Sequence, residues 1–150
     1  MTEKPDSPAE LKARALRHLV RREHSRSELA RKLAPHAQSA EALAALLDEL
    51  LSRRQLSDER YAEERVRVLS RKYGSAKIRH DLRAKGISSD MVEAISSDGE
   101  LERARAILAR KYPESATTRE ERAKRARFLQ GRGFSTDVIL RLIRRSDERA

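Results

Sequence analysis

Apolar residues recur at helical spacing along almost the whole chain, and nowhere do they alternate as in a strand. Pro8 suits a first helical turn, and Leu11, Ala15 and Leu19, with Leu16 and Val20 beside them, predict a helix through about Glu23. Ser25 and Glu28 read as the capping box of a brief second helix, carrying Leu29 and Leu33 and stopped by Pro35. A third begins near Ser39. Its Leu43, Leu46, Leu47, Leu50 and Leu51 follow the i, i+3, i+4, i+7, i+8 order, the clearest amphipathic stripe in the sequence. Ser57-Asp58 starts a fourth, with Ala62, Val66, Leu69 and Tyr73 on one stripe beside Tyr61 and Val68, and Gly74-Ser75 breaks it. Ile78 and Leu82 mark a short fifth helix. Met91, Val92 and Ile95 mark a sixth, opened by Ser88 or Ser89. After Asp98-Gly99, a seventh carries Leu101, Ala104, Leu108 and Tyr112 and ends at Pro113. Thr117 or Thr118 opens an eighth (Ala123, Ala126, Leu129, with Phe128 alongside), and Ser135 opens a ninth (Val138, Ile139, Leu142, Ile143).

One corner occurs twice. Leu82-Arg83-Ala84-Lys85-Gly86-Ile87-Ser88 returns 47 positions later as Leu129-Gln130-Gly131-Arg132-Gly133-Phe134-Ser135. In each copy a helix ends at a Gly that can take the left-handed conformation, and a Ser two residues on is placed to cap the next helix. Gly74, Gly86 and Gly133 are therefore read as structural corners. Nine helices in long–short–medium triplets predict an all-α chain of three tandem three-helix repeats, a period of roughly 40–50 residues being in the helical-repeat range. The expected boundaries are a flexible tail at 1–7, repeats at 8–56, 57–97 and 98–146, and a tail at 147–150. The first repeat lacks the Gly corner and uses Pro35 and a polar spacer.

Composition thins the expected core. Leu, Ile, Val and Phe number 31 of 150 residues, close to the roughly 20% below which charged chains tend to be disordered. Only their spacing argues for folding, into local cores rather than one deep one. Lys and Arg outnumber Asp and Glu 34 to 24, a net charge of +10, which draws polyanions: nucleic acid, an acidic membrane face or an acidic protein. There is no Cys, which excludes disulfides and thiolate metal sites. No N-terminal apolar region or run of 18 apolar residues appears, so a cytoplasmic protein without a membrane span is expected.

Catalytic chemistry finds little support. His18, His24, His36 and His80 lack metal-ligand spacing and are expected at the surface. Gly131-Arg132-Gly133 superficially resembles a phosphate loop, but no strand precedes it and no Lys-Ser/Thr follows, so it reads as a helix end. No enzyme activity, cofactor, metal or small-molecule substrate is expected. The basic positions say more. Arg60, Arg67 and Arg71 lie within about 20° of one line on the fourth helix and should face solvent. Lys72, Lys77, Arg79, Arg83 and Lys85 extend this basic stretch, and Arg122, Lys124, Arg125, Arg127 and Arg132 belong to a second concentration. These are the candidate filament- or nucleic-acid-binding residues. The acidic sixth helix cannot read base edges, and 3% aromatics are too few for a base-stacking platform. Contacts with single- or double-stranded nucleic acid should therefore be salt-sensitive and directed at phosphates. An acidic partner protein, or one carrying DNA, suits the same face.

Asp58, Tyr61-Ala62, Gly74, Ile78, Leu82, Lys85-Gly86-Ile87 and Arg132-Gly133-Phe134-Ser135 together resemble the pattern of the RecX family, bacterial regulators of the RecA recombinase. The likeness spans about residues 9–145, with the first repeat matching least, and its motifs are corners rather than catalytic signatures. It implies three three-helix units in an elongated, curved array that binds in the groove of the RecA–DNA filament. It further implies suppression of ATP hydrolysis, strand exchange and co-protease activity in DNA repair and the SOS response, without cofactor or catalytic residue. A monomer is expected. The competing expectation is an independent, non-specific DNA- or RNA-binding architectural protein.

Overall fold

Hydroxyl oxygens set where most of the helices begin. The computed structural model describes residues 4–148, among which no strand occurs. Those residues hold nine α-helices: α1 (Pro8–Arg21), α2 (Arg26–Leu33), α3 (Ala40–Ser52), α4 (Asp58–Leu69), α5 (Ser75–Ala84), α6 (Ser89–Glu93), α7 (Glu100–Lys111), α8 (Arg119–Gly131) and α9 (Thr136–Glu148). Ser25, Ser39, Ser57, Thr118 and Ser135 each accept the backbone N–H three residues on, at 3.0–3.2 Å, satisfying a donor that the helix itself leaves free. The all-α order of three-helix repeats is as expected, with a 3-10 turn at Ala34–His36 where Pro35 stops α2.

The capping box sits elsewhere than expected. It forms at Ser7, read from the sequence as tail: Ser7 Oγ accepts the Glu10 N–H (3.2 Å), and the Glu10 carboxylate accepts the Ser7 N–H (3.0 Å). Asp6 is also tied, donating its N–H to the His36 carbonyl (2.8 Å) and pairing with Arg14 (2.7 Å). At Ser25 only the hydroxyl half of a box is made. The Glu28 carboxylate turns instead to Arg22, at 2.7 and 3.0 Å, and that guanidinium pulls its pKa down to about 2.

Contacts divide the chain into two compact units, one of residues up to Arg65 with Arg83–Ser88, the other of Val66–Leu82 with residues from Ser89 onward. The first is filled by Leu11, Ala15, Leu29, Leu33, Leu46, Leu47, Leu50 and Leu56. The second is filled by Ala104, Ile107, Leu129, Phe134, Val138, Ile139 and Leu142. Leu56 and Ile107 belong to these cores although they stand off the predicted stripes. Val68, placed beside its stripe, is 47% exposed.

One joint is used in both units. In the first, Asp58 at the start of α4 accepts the Arg26 N–H of α2 (2.7 Å), and the Ser25 hydroxyl donates to the Lys85 carbonyl (2.8 Å). In the second, Glu100 at the start of α7 accepts the Ser75 N–H of α5 (2.9 Å). There the Gly74 and Ala76 N–H groups donate to the Arg132 and Gly133 carbonyls (2.7 and 3.2 Å). In each repeat that follows another, an acidic first residue and a Gly corner thus satisfy the start of the second helix of the repeat before it. The corner glycines are left-handed, Gly86 at φ 81° and Gly133 at φ 90°, and lie against Ser27 and Lys77, where a Cβ has no room. In the third repeat α8 satisfies its own start: Glu121 accepts the Thr117 N–H (2.8 Å) while its N–H donates to Thr118.

Gly133 closes α8 with paired bonds, its own N–H to Gln130 O (3.0 Å) and that of Phe134 to Leu129 O (3.2 Å), the Schellman pattern. Helix α3 ends in the same way without glycine: Gln55 and Arg54 donate to Leu50 and Leu51, with Arg54 at φ 61°.

His24 corrects the expectation of surface histidines, being 1% exposed. Its Nδ1–H donates to the Arg22 carbonyl (3.0 Å), and Nε2 accepts from Lys32 Nζ (2.9 Å), which requires a neutral ring. Burial first, then the charges of Arg22 and Lys32, hold its pKa below 6.5, against the opposing pull of the hydrogen bond to the Arg22 carbonyl and, more weakly, of Glu28. The unfolded chain therefore binds the extra proton more readily. Stability should be complete above pH 6.5 and decline as pH falls through and below it, by at most about 1.4 kcal/mol per pH unit for this one proton. Urea denaturation between pH 7.5 and 5 should show this slope, and His24→Gln should make it shallower, leaving the part that comes from His18, whose pKa burial also lowers. An equal slope in the variant would remove His24 as its source.

Candidate nucleic-acid interface

The structure sorts the thirteen predicted cations by what their side chains already hold. Arg60 does not face solvent freely. Its Nε donates to the Glu23 carboxylate at 2.8 Å, an ion pair between α4 and the end of the α1–α2 segment. Arg79 is likewise committed, its Nη2 donating to the Ile95 carbonyl (2.8 Å) and the Ser97 hydroxyl (3.2 Å) where α6 has ended. At its other end the line leaves the helix, because α4 stops at Leu69 and Arg71 stands exposed in the turn beyond. Acidic partners far away in sequence and carbonyls left open by helix ends decide these outcomes, and neither is visible in local spacing.

Arg67, Arg71 and Lys72 are exposed around the end of α4, as are Lys77 and Arg83 on α5 and Lys124 and Arg127 on α8. Lys85, Arg122, Arg125 and Arg132 are half-buried. No ion pair engages Arg71 or Lys72 among the described residues. The turn that carries them is held from α7: Arg110 donates to the Arg71 carbonyl at 2.8 Å, and Arg103 reaches the Tyr73 carbonyl at 3.5 Å. These two arginines were not among the candidates, and they build the loop that presents Arg71 and Lys72.

In the second unit the aromatic residues stand among the cations. Lys77 Nζ lies 4.7 Å from the Tyr73 ring centre and Arg132 Cζ 5.4 Å from the same ring. Arg132 Cζ also lies 5.1 Å from the Phe128 ring. Phe128 meets Tyr112 edge-on at 5.8 Å, and Arg125 Cζ sits 4.9 Å from Tyr112. The result is an unbroken run of charge and ring, Lys77–Tyr73–Arg132–Phe128–Tyr112–Arg125. Each such contact is worth about 0.5–1 kcal/mol at an exposed site. The sequence carried a signal for part of it in Phe128 and Arg132, four residues apart along α8; Tyr73 and Lys77 meet across a helix break that spacing does not foretell.

Among the described residues no group of three or more His, Asp or Glu side chains converges on a point that could hold a metal. No helix there is long and apolar enough to cross a membrane. The arrangement supplies cations engaged by the fold and cations left exposed, and the exposed ones can hold anionic oxygens.

Comparison with known proteins agrees with this architecture. Residues 57–94 match the second three-helix domain of RecX and residues 98–143 its third. The regulatory protein RecX of Ralstonia nicotianae is 41% identical over 146 residues, covering 95% of this chain and 92% of that one. The regulatory protein RecX of Herbaspirillum seropedicae is 46% identical over 134 residues, 87% of each chain. The crystal structure of RecX from Lactobacillus salivarius superposes with a TM-score of 0.80 at 23% identity, covering 93% of this chain and 96% of that one; at that identity the likeness speaks for the fold. With two three-helix domains matched in order and relatives aligned along nearly its whole length, the chain belongs to the RecX family of regulatory proteins.

Proposed function

We propose that the chain is a non-catalytic regulator of the RecA recombinase. In this reading it binds the RecA–DNA filament in the cytoplasm as a monomer and lowers ATP hydrolysis, strand exchange and co-protease activity during DNA repair and the SOS response. The observation that carries the reading is family membership, established along nearly the whole chain. The physical support is a set of exposed cations on rigid helical units, suited to the phosphates and acidic surfaces of a nucleoprotein polymer. The inhibitory sign rests on the family resemblance, since charge and geometry favour neither direction.

Titration of the chain into a DNA-dependent RecA ATPase assay tests it. Hydrolysis should fall at substoichiometric protein, because one bound molecule can arrest a cooperative filament. An unchanged rate at equimolar protein would reject the reading. The run of rings and cations in the second unit favours one alternative, an architectural protein that binds bare DNA or RNA by itself. That alternative predicts tight, salt-sensitive binding to nucleic acid with no effect on RecA, and a pull-down against RecA at low and moderate salt separates the two.

A further inference from the structure

We infer that Arg132 is a pre-set fork for a phosphodiester of single-stranded nucleic acid, with Tyr73 and Phe128 as its positioning residues and Lys77 as a second charge on the same anion. The inference refines the proposed action on a DNA-bearing filament and rests on that reading for its biological setting. Arg132 ends α8, and its backbone is fixed twice: its N–H closes the helix on Phe128 and Leu129 (both 3.1 Å), and its carbonyl accepts the Gly74 N–H (2.7 Å). Its side chain is fixed by the two rings, Tyr73 at 5.4 Å and Phe128 at 5.1 Å.

Its guanidinium has no acceptor among the described residues. Arg79, Arg103 and Arg110 in the same unit each donate to a backbone carbonyl. No carboxylate or carbonyl accepts from Arg132 among the described residues, and its nitrogens are not among the buried unpaired ones. A planar donor set flanked by two rings, half-buried and without an acceptor among the described residues, is the geometry that bidentate anion recognition uses. Lys77 Nζ is drawn to the same Tyr73 ring at 4.7 Å and donates to the Gly131 carbonyl at 3.3 Å, with no carboxylate paired to it among the described residues. Two like charges gathered on one ring without a counter-charge are stabilised by an anion.

Two features favour nucleic acid over an acidic protein. Arg125, seven residues before Arg132 and so on the same line of α8, carries the positive charge on to Tyr112, 4.9 Å from its ring and beyond a single carboxylate's reach. The half-buried rings of Tyr73, Phe128 and Tyr112 add apolar surface beside the cations, on which splayed bases can pack.

Fluorescence anisotropy of the full chain with a labelled oligothymidylate tests the site. Arg132→Ala should weaken binding about tenfold and lower the slope of log K against log salt by about 0.7, one single-strand phosphate contact. Arg132→Lys should weaken it nearly as much, since it keeps the charge and loses the planar fork. The backbone bonds of residue 132 survive in both variants, and circular dichroism melting should confirm an intact fold. Undiminished affinity in Arg132→Ala would overturn the inference and leave the stack as packing. Full affinity in Arg132→Lys would overturn the fork. If Arg132→Ala lost capture by DNA-free RecA while keeping oligonucleotide affinity, the ligand would be an acidic protein surface, and the inference would fail. The RecA ATPase titration with wild-type chain is read separately. No inhibition there, with oligonucleotide binding still dependent on Arg132, would sink the proposed function and spare the site.

Discussion

Gly74→Val is expected to remove about 3 kcal/mol or more of stability from the second unit, enough to abolish cooperative unfolding of a domain with a thin core. A Cβ at this position would stand 2.6 Å from the Gly133 carbonyl carbon and 2.7 Å from the Phe134 nitrogen. Both are main-chain atoms of the α8–α9 corner and cannot rotate aside. Relief requires the corner to move away, which breaks the Gly74 N–H bond to Arg132 and the Ala76 N–H bond to Gly133 together. Urea denaturation followed by circular dichroism should show a large loss of midpoint or no transition. Gly131→Ala is the matched control. It is the last residue of α8, two before Gly133, with nothing within 4 Å of an added Cβ, and Ala is the better helix former by up to about 1 kcal/mol. That variant should be as stable as the wild type or more so. A Gly74→Val chain that unfolds like the wild type would show that the corner does not bear on α5 in solution.

The repeated corner was legible because it is local. A Gly after a basic residue and a Ser two places on need only the chemistry of helix ends, and Gly86, Gly133 and Ser135 do what that chemistry asks. The same holds for the leucine stripe of α3, whose Leu46, Leu47 and Leu50 are buried. What the corner is for was not legible. The acceptors Asp58 and Glu100 act on N–H groups 32 and 25 residues away, and only the tertiary arrangement brings them there. Glu28 shows the competition within a single motif. Its spacing from Ser25 suits a box, yet a guanidinium within reach binds a carboxylate more strongly than a backbone N–H does. His24 escaped because a histidine between charged neighbours reads as exposed, and only burial with two ring-nitrogen partners makes it structural. The candidate interface was legible as a region and not as residues. Exposure of Arg71 depends on α7 arginines holding its turn, and the use of Arg60 depends on Glu23.

That sorting has a functional consequence, and the charge-reversed pair Arg71→Glu with Lys72→Glu measures it. Both side chains are exposed, no ion pair holds them among the described residues, and the turn beneath them is fixed through main-chain carbonyls that the substitutions leave in place. Helicity and melting should stay at wild-type values. Affinity for RecA-coated DNA should fall by about tenfold or more, equivalent to about 1.4 kcal/mol shared between two contacts. The salt dependence should flatten as well, because fewer counterions are released on binding. Arg60→Ala and Arg79→Ala should behave in the opposite sense. The first strands Glu23 and the second uncovers the Ile95 carbonyl, so each should lose up to about 1 kcal/mol of stability with little change in affinity of the folded molecule. Filament affinity that survives Arg71→Glu with Lys72→Glu, yet drops with Arg60→Ala at unchanged stability, would reverse the assignment and place the binding face on the residues that the fold has already engaged.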